Sequence, residues 1–218
     1  MALASRNIGV DDSRTRLVEA AEQLMREEGY AAVTSRRVAS KAGLKPQLVH
    51  YHFRSMDDLF LAVSERGAQQ LSEHLDRALA SHQPLHSLWE LISDRNTAVL
   101  ASEFLALANH RRTIRAEVAR YAKRYRSVQI ELLSLTFSEC GISRTLYPPA
   151  AMALIMESIA RTLAIEASLG LSAGHADAIR FVKRYLDIVE PVRSPRKSSK
   201  REKLLADLSG RGGPVPRK

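Results

Sequence analysis

Gly43 stands between two short apolar-periodic segments and restricts what the surrounding twenty residues can be. The stretch Thr34 to Phe53, TSRRVASKAGLKPQLVHYHF, reads as two short helices joined by a tight turn. Ser35 can cap the first helix, because its hydroxyl can accept from an otherwise unpaired backbone N–H. Val38, Ala39 and Ala42 then share one face by helical spacing. Gly43 can take the left-handed conformation that ends a helix, with Leu44 as an apolar plug for the turn. Pro46 suits the first position of the next helix, where its missing N–H is no loss. Val49 and Phe53 are four apart and point inward together.

The charged residues from Thr34 to Arg54 are Arg36, Arg37, Lys41, Lys45 and Arg54, with no acid among them. A basic helix-turn-helix is what a phosphate backbone attracts. The second helix would enter a major groove by its N-terminal end, where Lys45, Pro46, Gln47 and Leu48 lie. Gln47 can read adenine with two hydrogen bonds, and Leu48 can touch a thymine methyl. Arg36 can reach a base edge or a phosphate, while Tyr51 and His52 serve as phosphate contacts or packing. The candidate DNA-contacting set is Thr34, Ser35, Arg36, Arg37, Lys45, Pro46, Gln47, Leu48, His50, Tyr51 and His52.

With its flanks, this stretch resembles the TetR family of bacterial repressors. The carrying residues run from Leu17 to Phe60, LVEAAEQLMREEGYAAVTSRRVASKAGLKPQLVHYHFRSMDDLF. They hold an Ala-Ala helix, a Gly-aromatic break, a Thr before the motif, Val-Ala, Ala-Gly and an aromatic-His-Phe ending, in order. The resemblance implies an all-α chain, with an N-terminal three-helix DNA-binding domain and a C-terminal helical domain that dimerises and binds an effector. Three positions depart from the family pattern. Met56 replaces a common lysine, Lys45 a small polar cap and His50 a common tyrosine.

The expected organisation is a DNA-binding domain over 11–71 (motif 34–53), a helical domain over 72–190, and a disordered basic tail over 191–218. The net charge of +9 divides accordingly. Nine of the 33 Lys/Arg and two of the 24 Asp/Glu lie from Pro191 on, so the tail supplies +7 and the rest of the chain +2. Attraction to DNA and simple solubilisation are equal readings of that tail. The first ten residues are expected to be disordered, and the first helix to start near Asp12 or Ser13, with Leu17, Ala20, Ala21, Leu24 and Met25 as its stripe. Ser55 and Asp58 form a capping-box pattern for a long helix over about 57–81. At about 1.5 Å per residue it spans roughly 37 Å. It is the physical lever expected between the domains.

Beyond it, the pattern predicts a helix over about 85–109 and another over about 114–139. The latter has apolar or aromatic residues at 114, 118, 121, 125, 128, 132 and 135, a 4-3-4-3 seam. A helix over about 149–169 is apolar nearly all round, so it needs cover on several sides. The helix over about 175–189 has two stripes, Ile179/Val182/Leu186/Val189 and Phe181/Tyr185/Ile188. One packs on its own chain and leaves the other for a partner. A homodimer is therefore expected, with the last two helices of each chain forming a four-helix bundle through Ile159, Leu163, Phe181, Tyr185 and Ile188. Such a dimer would read a palindrome in successive major grooves, roughly 34–36 Å apart.

The second domain is the expected site of an unidentified small-molecule effector. Asn96 and Glu103 fall in line with Ile92 and Val99, and a polar group on an apolar stripe can orient a ligand. Trp89, Phe104, His110, Tyr125, Met152, Met156 and Arg161 are the other candidate lining residues. No cofactor is expected. No metal site is expected either: His50 and His52 point to different faces, and Pro84 separates His82 from His86. Gly170-Leu-Ser172-Ala-Gly174 matches a nucleophile elbow, but that chemistry needs a strand leading into the serine. No catalytic residue is expected, and a Ser172 hydrolase is the remote alternative to a regulator. A constitutive, architectural DNA-binding protein without effector is the nearer one. The single Cys140 fits a reducing compartment. No apolar run approaches the roughly 20 residues of a membrane span, and no signal-peptide core is read at the N-terminus. The expected location is the bacterial cytoplasm, on the nucleoid.

Overall fold

Helical periodicity is realised along the whole described chain. The computed structural model describes residues 2–190, with side-chain surroundings from residue 12 on, and its elements are all helical. They are α1 (Ala2–Glu28), α2 (Ser35–Lys41), α3 (Gln47–His52), α4 (Met56–Ala80), α5 (Pro84–Ser93), α6 (Arg95–His110), α7 (Arg112–Cys140), α8 (Pro149–Ser168) and α9 (His175–Val189), with one 3-10 turn at Tyr30–Ala32. The expected basic tail from residue 191 lies outside the described residues.

Two element boundaries depart from the sequence pattern. The first helix begins at Ala2, ten residues before the expected cap. Asp12 is instead inside it and faces Arg16 one turn on. The helix expected over 85–109 is broken at Asp94, whose backbone is extended (φ −62°, ψ 124°). In the last turn before the break the Ser93 hydroxyl donates to the carbonyls of Trp89 (2.7 Å) and Glu90 (3.4 Å). Asn96 and Glu103 therefore do not continue the Ile92 stripe. The next break has its own cap: Arg115 donates to the carbonyls of Ala108 and Asn109, both at 3.0 Å, closing the end of α6.

The chain packs as two units. The first comprises the residues up to Gln70 together with Arg95–Lys123. Its core is built by Leu17, Ala21, Leu24 and Met25 of α1, Val38 and Ala39 of α2, Val49 and Phe53 around α3, and Leu59, Phe60 and Val63 of α4. Leu100, Phe104 and Leu107 of α6 and Ile114 of α7 complete it. Met56, one of the three departures from the family pattern, is half-buried against this core. Gly29 (φ +83°) ends α1 in a conformation that favours glycine. There the Glu103 carboxylate of α6 accepts a 2.7 Å hydrogen bond from the Tyr30 backbone N–H.

The second unit comprises Leu71–Asp94 and the described residues from Arg124. Leu85, Leu88, Trp89 and Ile92 of α5 pack with Val128, Leu132, Leu133 and Phe137 of α7. Ala153, Met156 and Ala160 of α8 and Val182, Leu186 and Val189 of α9 close the core. The expected seam on α7 is thus shared. Ile114 and Val118 serve the first core, while Tyr125, Val128, Leu132 and Leu135 serve the second. The N-terminus of α5 is capped by a residue distant in sequence. The buried Glu190 carboxylate accepts from the backbone N–H of Leu85 (2.9 Å) and His86 (3.1 Å). α9 presents the two expected stripes in part: Val182, Leu186 and Val189 are buried and Phe181 (70% exposed) and Ile188 (74%) are not, but Ile179 of the inward stripe is exposed and Tyr185 of the outward one packs against the core.

Candidate nucleic-acid interface

Thr34, not Ser35, caps α2. The Thr34 backbone is extended and its hydroxyl accepts from the Arg37 N–H at 3.4 Å, whereas Ser35 is already the first helical residue. A cap must sit outside the helix to turn its oxygen back on the free N–H groups, and Thr34 has that geometry. Val38 and Ala39 are fully buried beneath. Gly43 (φ +64°) turns the chain, and the Leu44 N–H bonds back to the Ala39 carbonyl at 2.9 Å. Arg16 of α1 locks the same turn by donating to the Ala42 carbonyl at 2.6 Å. Pro46 takes the cap position of α3, one residue before the expected place.

The turn and α3 are oriented by Val49 and Phe53, both nearly inaccessible, so that opposite side chains face solvent. Lys45, Pro46, Gln47, His50 and Tyr51 are exposed, and Leu48 is half-buried with its side chain against the core edge. Tyr51 is 70% exposed, a large aromatic without cover. His52 differs from its neighbours. It is half-buried, and its Nε2 lies 2.8 Å from the Ser13 hydroxyl of α1. Burial, and then the nearby Arg14 charge, hold its pKa below the ordinary value of 6.5. His52 is thus a packing residue that ties α3 to α1.

The basic residues divide into two groups. Arg37 pairs with Glu28, and Lys41 pairs with Glu27 at 2.7 Å, so both brace α2 against the end of α1. These hydrogen bonds hold the two glutamates below the usual carboxylate range. Among the described residues, Arg36, Lys45 and Arg54 form no ion pair and are exposed. Arg36 and Lys45 therefore leave positive charge on either side of the turn, beside the exposed amide of Gln47. A cationic rim around a hydrogen-bonding side chain on a small rigid core can hold phosphates and present an amide to base edges.

The effector candidates divide between the two units. Asn96 and His110 are exposed on α6, Phe104 lies in the first core, and the Glu103 carboxylate is committed to Tyr30; all four belong to the first unit. Trp89, Tyr125, Met152 and Met156 belong to the second unit and its core. Arg161 pairs with Glu157 at 2.5 Å. Of the proposed dimer contacts, Ile159, Leu163 and Tyr185 pack partly against the second core, while Phe181 and Ile188 are free of it. Ser172 lies in the turn joining α8 to α9, and a helix, not a strand, precedes it. His175 lies 2.7 Å from Glu166, so the neighbouring imidazole is engaged elsewhere.

Two capping roles and two buried polar residues escaped the sequence reading. Glu103 and Glu190 cap breaks 73 and 105 residues away, a relation no local pattern carries. Gln129 and Thr136 are both 1% exposed. Their signal was present in the sequence: with Tyr125 and Leu132 they repeat at 4-3-4 spacing, one position off the apolar seam.

Residues 17–63 match the family model described as bacterial regulatory proteins, tetR family. The chain is 30% identical over 115 residues to the HTH-type transcriptional regulator BetI of Brucella anthropi, covering 52% of this chain and 56% of that protein. It spans less than two thirds of the length of the curated relatives it matches. A TetR-family structure from Rhodococcus sp. shares the fold with a TM-score of 0.64 and 19% identity, covering 83% of this chain and 99% of the other. The regulator FadR from Bacillus subtilis, solved in complex with stearoyl-CoA, has a TM-score of 0.60 and 14% identity, with the same coverage.

Proposed function

The chain belongs to the TetR family of bacterial regulatory proteins, and from that premise we propose a repressor that releases its operator when a small molecule binds. One observation carries the DNA-binding part: the exposed end of α3 presents Gln47 beside Lys45 and across the turn from Arg36, with neither cation spent on an ion pair among the described residues. Arg36 and Lys45 neutralise phosphates, and Gln47 and Leu48 read base edges.

The functional unit is a homodimer. Support comes from the outer faces of α8 and α9, where Leu154, Ile155, Phe181 and Ile188 are all about half or more exposed. Apolar groups of this size, continuous with a packed core, are the material of a self-association surface. A two-fold dimer reads a palindrome, its half-sites about one helical turn apart. Release is a shift of population, so the effector must bind the DNA-incompetent state more tightly. The FadR relative's stearoyl-CoA complex supports a small-molecule effector here as well.

Selection of bound duplexes from a random pool with the full chain tests the reading. A palindromic consensus is expected, and Arg36→Glu/Lys45→Glu should abolish its binding while leaving the helical signal intact. Unaltered affinity in that variant would sink the proposal.

A further inference from the structure

Positive charge before the tail gathers in two places. One is the two-helix motif. The other is residues 111–126, which hold seven Lys/Arg and a single acid, Glu117, although residues 1–190 together carry only +2. Part of this second set is spent within the fold: Arg120 pairs with Glu117, and Arg126 with Glu157. The first turn of α7 is different. Arg112 is exposed and forms no ion pair among the described residues. Arg115, also exposed, gives its hydrogen bonds to carbonyls, which leave its charge uncancelled.

Packing inside the first unit fixes where this turn lies. α6 runs antiparallel along the first half of α4. At one end Leu100 lies against Gly67, 3.7 Å from where a Cβ would stand. At the other, Arg111 pairs with Asp57, and its guanidinium stands 5.5 Å from the centre of the Phe60 ring. Ile114, fully buried, anchors the start of α7 in the same core. The α6–α7 corner is thereby pinned to the first turn of α4, which the chain enters directly from α3. Arg54, exposed and outside any ion pair among the described residues, lies in the link between those two helices. The acids at this point are engaged: Asp57 on Arg111, and Asp58 on the Ser55 backbone N–H at 3.0 Å.

We propose that the α6–α7 corner is a second DNA contact of the first unit, in which Arg112 holds a backbone phosphate of the duplex just beyond the bases that α3 reads. The proposal rests on the DNA-binding reading above and adds to it a contact from far outside the motif. α3, the start of α4 and the corner belong to one packed core, so a duplex that receives α3 also meets the corner as part of the same body. A guanidinium presents a fork of donors that matches phosphate oxygens. Such a contact fixes register and strengthens binding without reading sequence. Arg54 lies on the path between the two contacts and extends the positive strip.

The test uses the full chain, its Arg112→Gln variant and a duplex selected from a random pool. Removing one phosphate contact should lower the slope of log K against log salt by about 0.9 per half-site, which is about eightfold in affinity per half-site at about 0.1 M salt. The selected consensus and the helical signal should not change. Methylphosphonates, which are neutral, are then placed singly along the flanks of each half-site. One flanking position should weaken the native chain and leave Arg112→Gln indifferent, the signature of a pairwise contact rather than of lost net charge. An unaltered salt slope, or methylphosphonate profiles that are the same for both proteins, would overturn the corner contact. If Arg36→Glu/Lys45→Glu abolishes binding while Arg112→Gln changes nothing, this contact falls and the motif reading stands. No duplex affinity in the native chain would sink both.

Discussion

His52 shows how a residue on a recognition helix can serve the fold rather than the ligand. Its ring meets the Ser13 hydroxyl and lies against the edge of the first core. Its folded pKa lies below 6.5, so the unfolded chain takes up a proton there at higher pH than the folded chain does. Stability is therefore full above 6.5 and is lost as pH falls through and below that value. His52→Asn should flatten the acid side of the stability profile between about pH 6.5 and 5, measured as the urea midpoint at each pH. An unchanged slope would show that the imidazole titrates freely. Glu103 is a residue of the same kind. Its carboxylate accepts from the Tyr30 N–H where Gly29 has ended α1, and no other backbone group closes that N–H there. Glu103→Ala should cost roughly 1.5–3 kcal/mol, as expected for a hydrogen bond to a charged group, with denaturant unfolding as the measure.

At the scale of elements, α5 depends on α9 for its start. Gln83 offers no side-chain cap, and the Glu190 carboxylate takes the first free N–H groups instead. His86 adds a side-chain contact to the same carboxylate at 3.1 Å. Replacing Glu190 by Ala should destabilise the second unit by roughly 1.5–3 kcal/mol. Loss of the near-ultraviolet signal of Trp89, which lies on α5, should report it. The comparison with the sequence is instructive at this scale. The two-helix motif, the Ser55–Asp58 capping box (3.0 and 3.2 Å) and the double stripe of α9 are set by neighbours within a few residues, and each was readable in advance. The break at Asp94 was not, because no glycine or proline there marks a stop. The membership of α6 was not either. Its stripe shows that Phe104 is buried, but periodicity cannot say against which partner.

For the molecule as a whole, the outer apolar stripes of α8 and α9 decide how it behaves in solution. The homodimer proposed above would cover these residues with the same faces of a second copy. Phe181→Asp/Ile188→Asp should convert a dimer to a monomer of 24.3 kDa by light scattering. Val182, Leu186 and Val189, on the opposite face of α9, keep their packing. The same variant should lose operator affinity steeply, since one half-site then binds without its twin. A dimer that persists would place the interface elsewhere.

The contribution of α6 and the start of α7 to the first core bears on how this regulator can be engineered. A chimera that takes residues 1–70 as its reader and joins them to a foreign sensor would leave out Leu100, Phe104, Leu107 and Ile114, along with Glu103. Its apolar underside would be wetted and the Tyr30 amide left bare. A working graft must also carry residues 95–123, which enter the chain later, so the reader of this protein is transplantable only in two pieces.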